Sequence, residues 1–421
     1  MKHIKYLVFF ILTLASCKKE FEGVRPDTKI NQLRDQYSQQ LTGAKNGWIG
    51  YLFPAGGGGY TFKFTFNDKH RVKTYATIDA KKAESPDESS YRLVADQLVS
   101  LYFDTYSYLH QLADPDESKS GGRRGGGKIS DFEFAIIESS ADTMKLRGNH
   151  NESQLILIRA KDNEGDNFIK DAFNLNNKID DINQLRHYYN NVKLNNKEYG
   201  AIINTELNTI SFYHSENGLF NSFYTEYAMS SKGIVLKTPF IAGDLRINYI
   251  DDFNINKTSN SATAKINGKT EIKFSNSDKP LIIDKEAPRR MYLTNKNHTS
   301  SHGFTIEGKK DSLGIRKFPL FNFLVFVPRR YIDPIDALYV IYGEDFNVGP
   351  LFTTNYNDQG ILSFKPIRLL TGIDPGEELE KIIIQQNNLW FNPNGFYVYQ
   401  TGKENYDLVS IKDSKVWIRF N

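Results

Sequence analysis

Tyr60-Thr61-Phe62-Lys63-Phe64-Thr65-Phe66 sets an aromatic ring at every second position. Side chains of a strand alternate between faces, so this run predicts a β-strand with one aromatic face and one wet face. Gly56 to Gly59 makes the turn into it, and before that turn Gly47-Trp48 opens a strand that Pro54 ends after Phe53. On the other side Asn67-Asp68 turns the chain back into a third strand, Arg71 to Ile78. Successive strands joined by short turns are the pattern of an antiparallel meander. Upstream, Asp27 or Thr28 offers an N-cap, and Ile30, Leu33, Tyr37 and Leu41 recur along one face until Gly43 stops an amphipathic helix.

Downstream, Asp79 to Ser89 is polar and reads as a loose stretch, and Tyr91 to Phe103 holds further apolar strand segments. Asp104 to Leu112 reads as a helical turn or a strand end. After Asp114-Pro115-Asp116 a long loop runs through Gly121 to Lys128, too rich in glycine to pack. Phe132, Phe134 and Ile136 then alternate with Asp131, Glu133 and Ala135, and Thr143 to Arg147 and Gln154 to Arg159 complete the set. The first unit, residues 27–161, is therefore expected to be one helix with an antiparallel sheet of seven or eight strands.

A second amphipathic helix, with Ile179, Ile182, Leu185 and Tyr189 on one face, leads a second set of strands between Gly200 and Ile250, giving a unit over 168–287. Past a polar stretch from Ile255 to Thr270, a C-terminal β-rich domain over 288–421 ends on the strand Val416 to Phe420, with one short helix at Glu377 to Gln386. The expected fold class is mainly β with a minor helical part: antiparallel meander sheets or sandwich- or barrel-like units, each of the first two preceded by one helix. Composition agrees, since 24 Tyr and 29 Phe favour pleated, half-buried surfaces.

The 53 basic residues are interspersed with 50 acidic ones, for a formal charge of +3. Without a clustered basic face, counterion release supplies little affinity for nucleic acid, and no nucleic-acid partner is expected. The single cysteine, Cys17, excludes an internal disulfide. It closes a segment with Lys2 and Lys5 as a basic head, the apolar run Tyr6 to Leu14, and the small residues Ala15 and Ser16. That run is far short of the roughly 20 residues that span a bilayer as a helix, so residues 1–16 read as a signal peptide ending in a lipobox. Cys17 is the expected lipidation site and residues 17–26 the lipidated tether, which anchors the chain to a membrane. The charged start Lys18-Lys19-Glu20 resembles the signal that sends Bacteroidota lipoproteins to the outer face of the outer membrane, so the expected location is lipid-anchored and facing the cell surface.

Short motifs stand along the first unit: Gly47-Trp48, Gly58-Gly59-Tyr60, Asn67-Asp68, Tyr91-Arg92-Leu93, Phe103-Asp104-Thr105-Tyr106, Asp114-Pro115, Ser130-Asp131-Phe132-Glu133-Phe134 and Leu146-Arg147-Gly148. In these the chain resembles a family of Bacteroidota lipoproteins of unknown function, similar to proteins encoded beside outer-membrane importers and starch-utilisation-type binding lipoproteins. The resemblance implies an accessory role in nutrient uptake, with a TonB-dependent importer and a binding lipoprotein as partners. It brings no catalytic residue with it.

Candidate chemistry is sparse. Gly122 to Lys128 has the Gly-x-x-x-x-Gly-Lys spacing of a phosphate loop, but Ile129 stands where Mg²⁺ needs a hydroxyl and no strand precedes it. His298 and His302 are four apart, yet Thr299 occupies the place of the general base in a zinc motif. Asp162, Glu164 and Asp166 alternate like calcium ligands, without the Gly and Glu an EF-hand requires. Asp104, His110 and Asp114 cluster beside Tyr106 and Tyr108 and could line a polar-ligand pocket, or else cap a turn. Trp48, Trp390 and Tyr397 are the rings that could stack on a sugar, core packing being the alternative. No catalytic residue, metal or cofactor is assigned. The expected function is a non-enzymatic, lipid-anchored accessory protein that binds an oligosaccharide or peptide or docks to an importer; the alternatives are a glycan or peptide hydrolase and a structural envelope lipoprotein.

Overall fold

The computed structural model describes residues 26–122, 125–294, 296–329, 334–344 and 346–421. The expected signal peptide, Cys17 and the expected tether up to residue 25 lie outside the described residues. The fold is mainly β, with antiparallel strands throughout and short helices between them.

Eight strands, from Trp48–Phe53 to Gln154–Arg159, pair in sequence order and close into a barrel, the first strand lying antiparallel to the last with Trp48 opposite Arg159. Closure leaves no free edge. The helix Pro26–Thr42 packs against this barrel through Leu41, whose carbonyl accepts a hydrogen bond from Trp48 Nε1 at 3.0 Å. Phe62, Phe64 and Phe66 point inward as their alternation requires, and Phe64 packs its ring against Phe62, Phe66 and Phe103. Several of the short motifs of this unit hold one another. Tyr91 donates its hydroxyl to Asn67 O at 2.9 Å, and Arg92 pairs with Asp104 at 2.9 Å. Asp131 accepts from the backbone amides of His150, Asn151 and Ser153, and any Cβ at Gly148 would collide with its carboxylate.

The opposite face of Tyr60–Phe66 is not wet as expected. Thr61 is 0% exposed and Lys63 3% exposed, because the second unit covers the outside of the first barrel. Thr61 Oγ1 donates to Met229 O, and Lys63 Nζ reaches Glu164 O at 3.0 Å and the Asp166 carboxylate at 3.3 Å. Of the polar side chains inside this run only Thr65 remains exposed.

A second barrel closes over eight strands from Tyr189–Leu194 to Thr270–Ser277. Its core is largely aliphatic, built from residues such as Ile203, Ile210, Ile234, Ile247 and Ile266 around the Phe212–Phe240 stack. The structure corrects the sequence reading here and in the first unit. The helix runs Phe168–Asp180, continues as a 3-10 turn to Gln184, and ends well before Tyr189, which opens a strand. The polar stretch Ile255 to Thr270 contains the strand Ser261–Ile266, whose alternating Ala262, Ala264 and Ile266 face the core. Asp79 to Ser89, expected to be loose, holds a short helix, Ala80–Glu84, capped by Asp79, and the start of a strand at Asp87.

The C-terminal part is a nine-stranded antiparallel sheet, with Glu377–Trp390 as a helix four residues longer than expected at its C-terminal end. That helix and Ala287–Leu293 cover the sheet, and Ile382, Ile383, Trp390 and Met291 join its core. Among the described residues no helix is long and apolar enough to cross a membrane.

Candidate ligand-binding pocket

Two connections of the first barrel are long enough to build something. The link from Arg71–Ala76 to Asp87–Ala95 carries the helix Ala80–Glu84, and the link from Val99–Phe103 to Glu133–Ser139 carries the helices Tyr108–Ala113 and Glu117–Ser120. Together they line an open cleft of about 450 Å³ at the barrel rim. Its walls come from Tyr60, Ile78, Gln111 and Leu112, and from Lys82, Lys119 and Lys128, with Asp79 as the sole lining acid among the described residues.

Gly121 and Lys128, from the two ends of the glycine-rich stretch, line one side of this cleft, and Gly127, contrary to expectation, packs. Gly127 is buried at φ +55°, and a Cβ there would lie 2.7 Å from Leu112 O and 2.8 Å from Asp114 O. Its backbone can therefore press against the helix Tyr108–Ala113 only without a side chain. Lys128 N then donates to Leu112 O at 2.7 Å, and Lys128 O accepts from Gly56 N at 3.1 Å, which pins the segment to the helix and to the first hairpin turn.

The three lysines differ in their company. Lys82 is paired with Asp79 through both its ammonium and its backbone amide, and it lies 5.8 Å from the centre of the Tyr108 ring. Lys119 faces Asp114 and Asp116, each at 3.8 Å. Lys128 is half-buried, no carboxylate among the described residues pairs with it, and burial pushes its ammonium below the usual lysine range. Burial likewise pushes the Tyr60 phenol up to about 12, and its hydroxyl has no hydrogen-bond partner among the described residues.

Of the residues singled out by sequence, Asp104, His110 and Asp114 do come together beside this pocket. Tyr106 is 61% exposed, donates its hydroxyl to Asp114 Oδ2 at 2.6 Å, and stacks 5.8 Å from His110, whose ring lies 4.2 Å from Phe132 on its other side. Burial pushes the His110 imidazole below its usual range, against the opposing pull of Asp104. Asp104 is engaged by Arg92, and the Tyr106 hydroxyl and the Asp116 amide hold the Asp114 carboxyl below the usual carboxylate range. The three therefore brace the pocket's outer wall and none of them lines it.

The aromatic candidates lie elsewhere. Trp48 and Trp390 are both fully buried, Trp48 beneath Arg159 and Trp390 stacked 3.9 Å from Phe364, so neither offers a face to a sugar. Tyr397 is half-buried among Tyr188, Tyr213 and Trp417, where the second barrel meets the C-terminal sheet. His298 and His302 do not converge: His298 Nε2 lies 3.2 Å from Met291 O, whereas His302 Nδ1 lies 3.5 Å from Glu206. Asp162 accepts from Asn46 and Asp166 meets Lys63 and Lys73, so these acids face amide and ammonium groups. Sequence reasoning misses Lys82, Lys119 and Lys128 as a group. The Gly-Lys end of the phosphate-loop spacing is the available signal, and it points to a different chemistry.

None of the curated proteins matches the chain. Among solved structures it is similar to the H. pylori beta clamp in complex with 5-chloroisatin, at 10% identity over 93% of this chain and 96% of that one, with a TM-score of 0.16. It is also similar to Caulobacter crescentus pol III beta, at 10% identity over 91% and 95% with a TM-score of 0.12. For a DnaN sliding clamp from Bartonella birtlesii the values are 8%, 92%, 96% and 0.13. Likeness at that level carries no argument about fold or function. A family model does match, over residues 19–300, which takes in both barrels and the pocket: the chain belongs to the family described as a domain of unknown function, DUF4302.

Proposed function

We propose that this protein is a lipid-anchored, surface-facing accessory of a nutrient-import system that captures a small polar ligand, an oligosaccharide or a peptide, without transforming it. The observation that carries the reading is the rim cavity, a concave site of about 450 Å³ built by three short helices inserted into an otherwise closed barrel. Loops placed by a rigid scaffold are where binding sites concentrate, and this volume lies in the range of small-ligand pockets. Its polar groups are cations, a phenol and an amide, with its one carboxylate held by Lys82. That set binds; general acid–base hydrolysis would call for a pair of available acids or a nucleophile with a base beside it.

The lipobox ending in Cys17 supports attachment to a membrane, and the family's resemblance to proteins encoded beside importers supports the uptake role and a TonB-dependent importer with its binding lipoprotein as partners. Calorimetry of the purified chain against a panel of glycans and peptides, with a pull-down of importer components, tests capture. Binding of one ligand class with release of unaltered ligand is the expected result. Uniform absence of binding together with no recovered importer would overturn the reading. Protease shaving of intact cells tests the location, where resistance of the chain would remove surface display.

A further inference from the structure

We infer that the rim cavity takes a carboxylate-bearing sugar, its carboxylate set against Lys128. This rests on the capture reading above and narrows it to one chemistry.

Hydrogen-bonding capacity left over inside the cavity carries the argument. Gln111 Nε2 is spent on Lys119 O at 2.7 Å. Ser120 Oγ donates to Asp116 O at 3.0 Å and accepts from Gly122 N, and Ser118 Oγ donates to Asp116 Oδ1 at 2.7 Å. Lys82 is held by Asp79, and Lys119 faces the acids of its own turn. What remains is the ammonium of Lys128, which can only donate, the hydroxyl of Tyr60, and the acceptor Oε1 of Gln111. A ligand completing this site must therefore bring acceptors, and an anion completes it best. Asp79 balances Lys82, and Asp114 and Asp116 face Lys119, so Lys128 is the lining cation that no carboxylate among the described residues pairs with. A half-buried ammonium without a counter-charge is costly, and an anion arriving from solution removes that cost.

Two features point to a sugar over a peptide. The cavity pairs its charge with the Tyr60 ring, Ile78 and Leu112, an apolar wall suited to the C–H face of a pyranose. Peptides are commonly held by adding a strand to a sheet edge, and this barrel, closed by the Trp48–Arg159 pairing, has no edge to offer.

The test is calorimetry of the full chain and of Lys128→Met with three probes: digalacturonate, maltotriose and triglutamate. Digalacturonate is expected to bind the parent chain, to bind more weakly as salt is raised, and to lose roughly 30-fold or more in affinity in Lys128→Met, the effect of removing one partner of a desolvated charge pair. A thermal unfolding midpoint for Lys128→Met no lower than that of the parent chain shows that the variant is folded. If maltotriose binds as tightly as digalacturonate and Lys128→Met alters neither, the carboxylate assignment falls while capture stands. Binding of triglutamate in preference to digalacturonate overturns the sugar assignment. If none of the three binds the parent chain, both the assignment and the capture of such ligands at this cavity are overturned.

Discussion

Lys128 at the rim of the first barrel and Arg419 between the second barrel and the C-terminal sheet are both withdrawn from water, and of the two only Arg419 has a carboxylate against it among the described residues. Its guanidinium, 1% exposed, grips Asp407, 0% exposed, at 2.8 Å, and Tyr188 donates its hydroxyl to the same carboxylate at 2.9 Å. Burial works against the charge of Arg419, and Asp407 more than restores it. Nearby Lys310 bridges Asp180 and Glu206, and Glu206 also accepts from Ser301 and Asn421. Arg419 and Asp407 stand on paired strands of the C-terminal sheet, and the Tyr188–Asp407, Lys310–Asp180 and Lys310–Glu206 contacts fasten that part to the second unit. The barrels differ in the same sense. Two hairpins of the second turn on two residues, Asn195-Asn196 and Asn217-Gly218 with both φ positive, and none of its connections carries inserted helices like those of the first. A buried charge whose partner the fold supplies is a fastening, whereas Lys128, with no carboxylate among the described residues paired to it, is the cation the proposed ligand would meet.

The contrast makes graded predictions. Arg419→Met leaves the Asp407 carboxylate buried and uncompensated, and is expected to destabilise the chain by about 3–5 kcal/mol in urea unfolding. The double variant Arg419→Met/Asp407→Leu should recover most of that loss; a double variant as damaged as the single one would mean the pair is not the fastening described.

Acid should loosen the same region. His302 faces Glu206, Lys310, Arg419 and Asp180, and burial pushes its imidazole down from 6.5 to about 4, with Glu206 opposing. Its folded value lies below the unfolded one, so the unfolded chain binds the extra proton and stability falls as pH drops from about 6.5 toward about 4. His302→Gln should flatten that slope, and an unaltered slope would discard His302 as its source. At the rim the sign concerns binding at the alkaline end: Lys128 loses its proton below the usual lysine range, so affinity for an anion should fall as pH rises toward that range.

Gly127→Ala introduces a Cβ at φ +55° against two backbone carbonyls. A cost of about 1–3 kcal/mol is expected, confined to the rim. Hydrogen exchange should rise in the Gly121–Lys128 segment and not in the second barrel. Lys128→Met should change stability least, by less than about 1 kcal/mol and in the stabilising direction, because no carboxylate is paired with the charge it removes. A loss of stability like that of Arg419→Met would erase the distinction between the two cations.

Much of the architecture is legible in the order of the residues. Alternation in Tyr60–Phe66 places Phe62, Phe64 and Phe66 in a core, and Gly43 and Pro54 end the first helix and strand near where they do end. The departures have one origin. Periodicity sets the helix Phe168–Asp180 too late, because Ile179, Ile182 and Leu185 are buried at helical spacing across a helix, a 3-10 turn and its exit. The strand Ser261–Ile266 is hidden by its small, polar residues, which acquire a face only once a barrel closes around Ala262 and Ala264. Trp48 and Trp390 have the chemistry for stacking on a sugar, but contact with a ligand depends on exposure, and both are buried.

By itself, then, the sequence determined what local sterics and period decide: strands that alternate, helices with an apolar face, turns at Gly, Asn and Pro, and hence a mainly β chain. Only the tertiary structure decided which polar residues stand alone. Thr61 and Lys63 are buried because a strand and a linker more than 100 residues away cover them. Arg419 is neutralised by a neighbouring strand, while Lys128 folds against a helix with no carboxylate among the described residues paired to it. A counter-charge is a relation between distant positions, and no period in one stretch of chain can encode it.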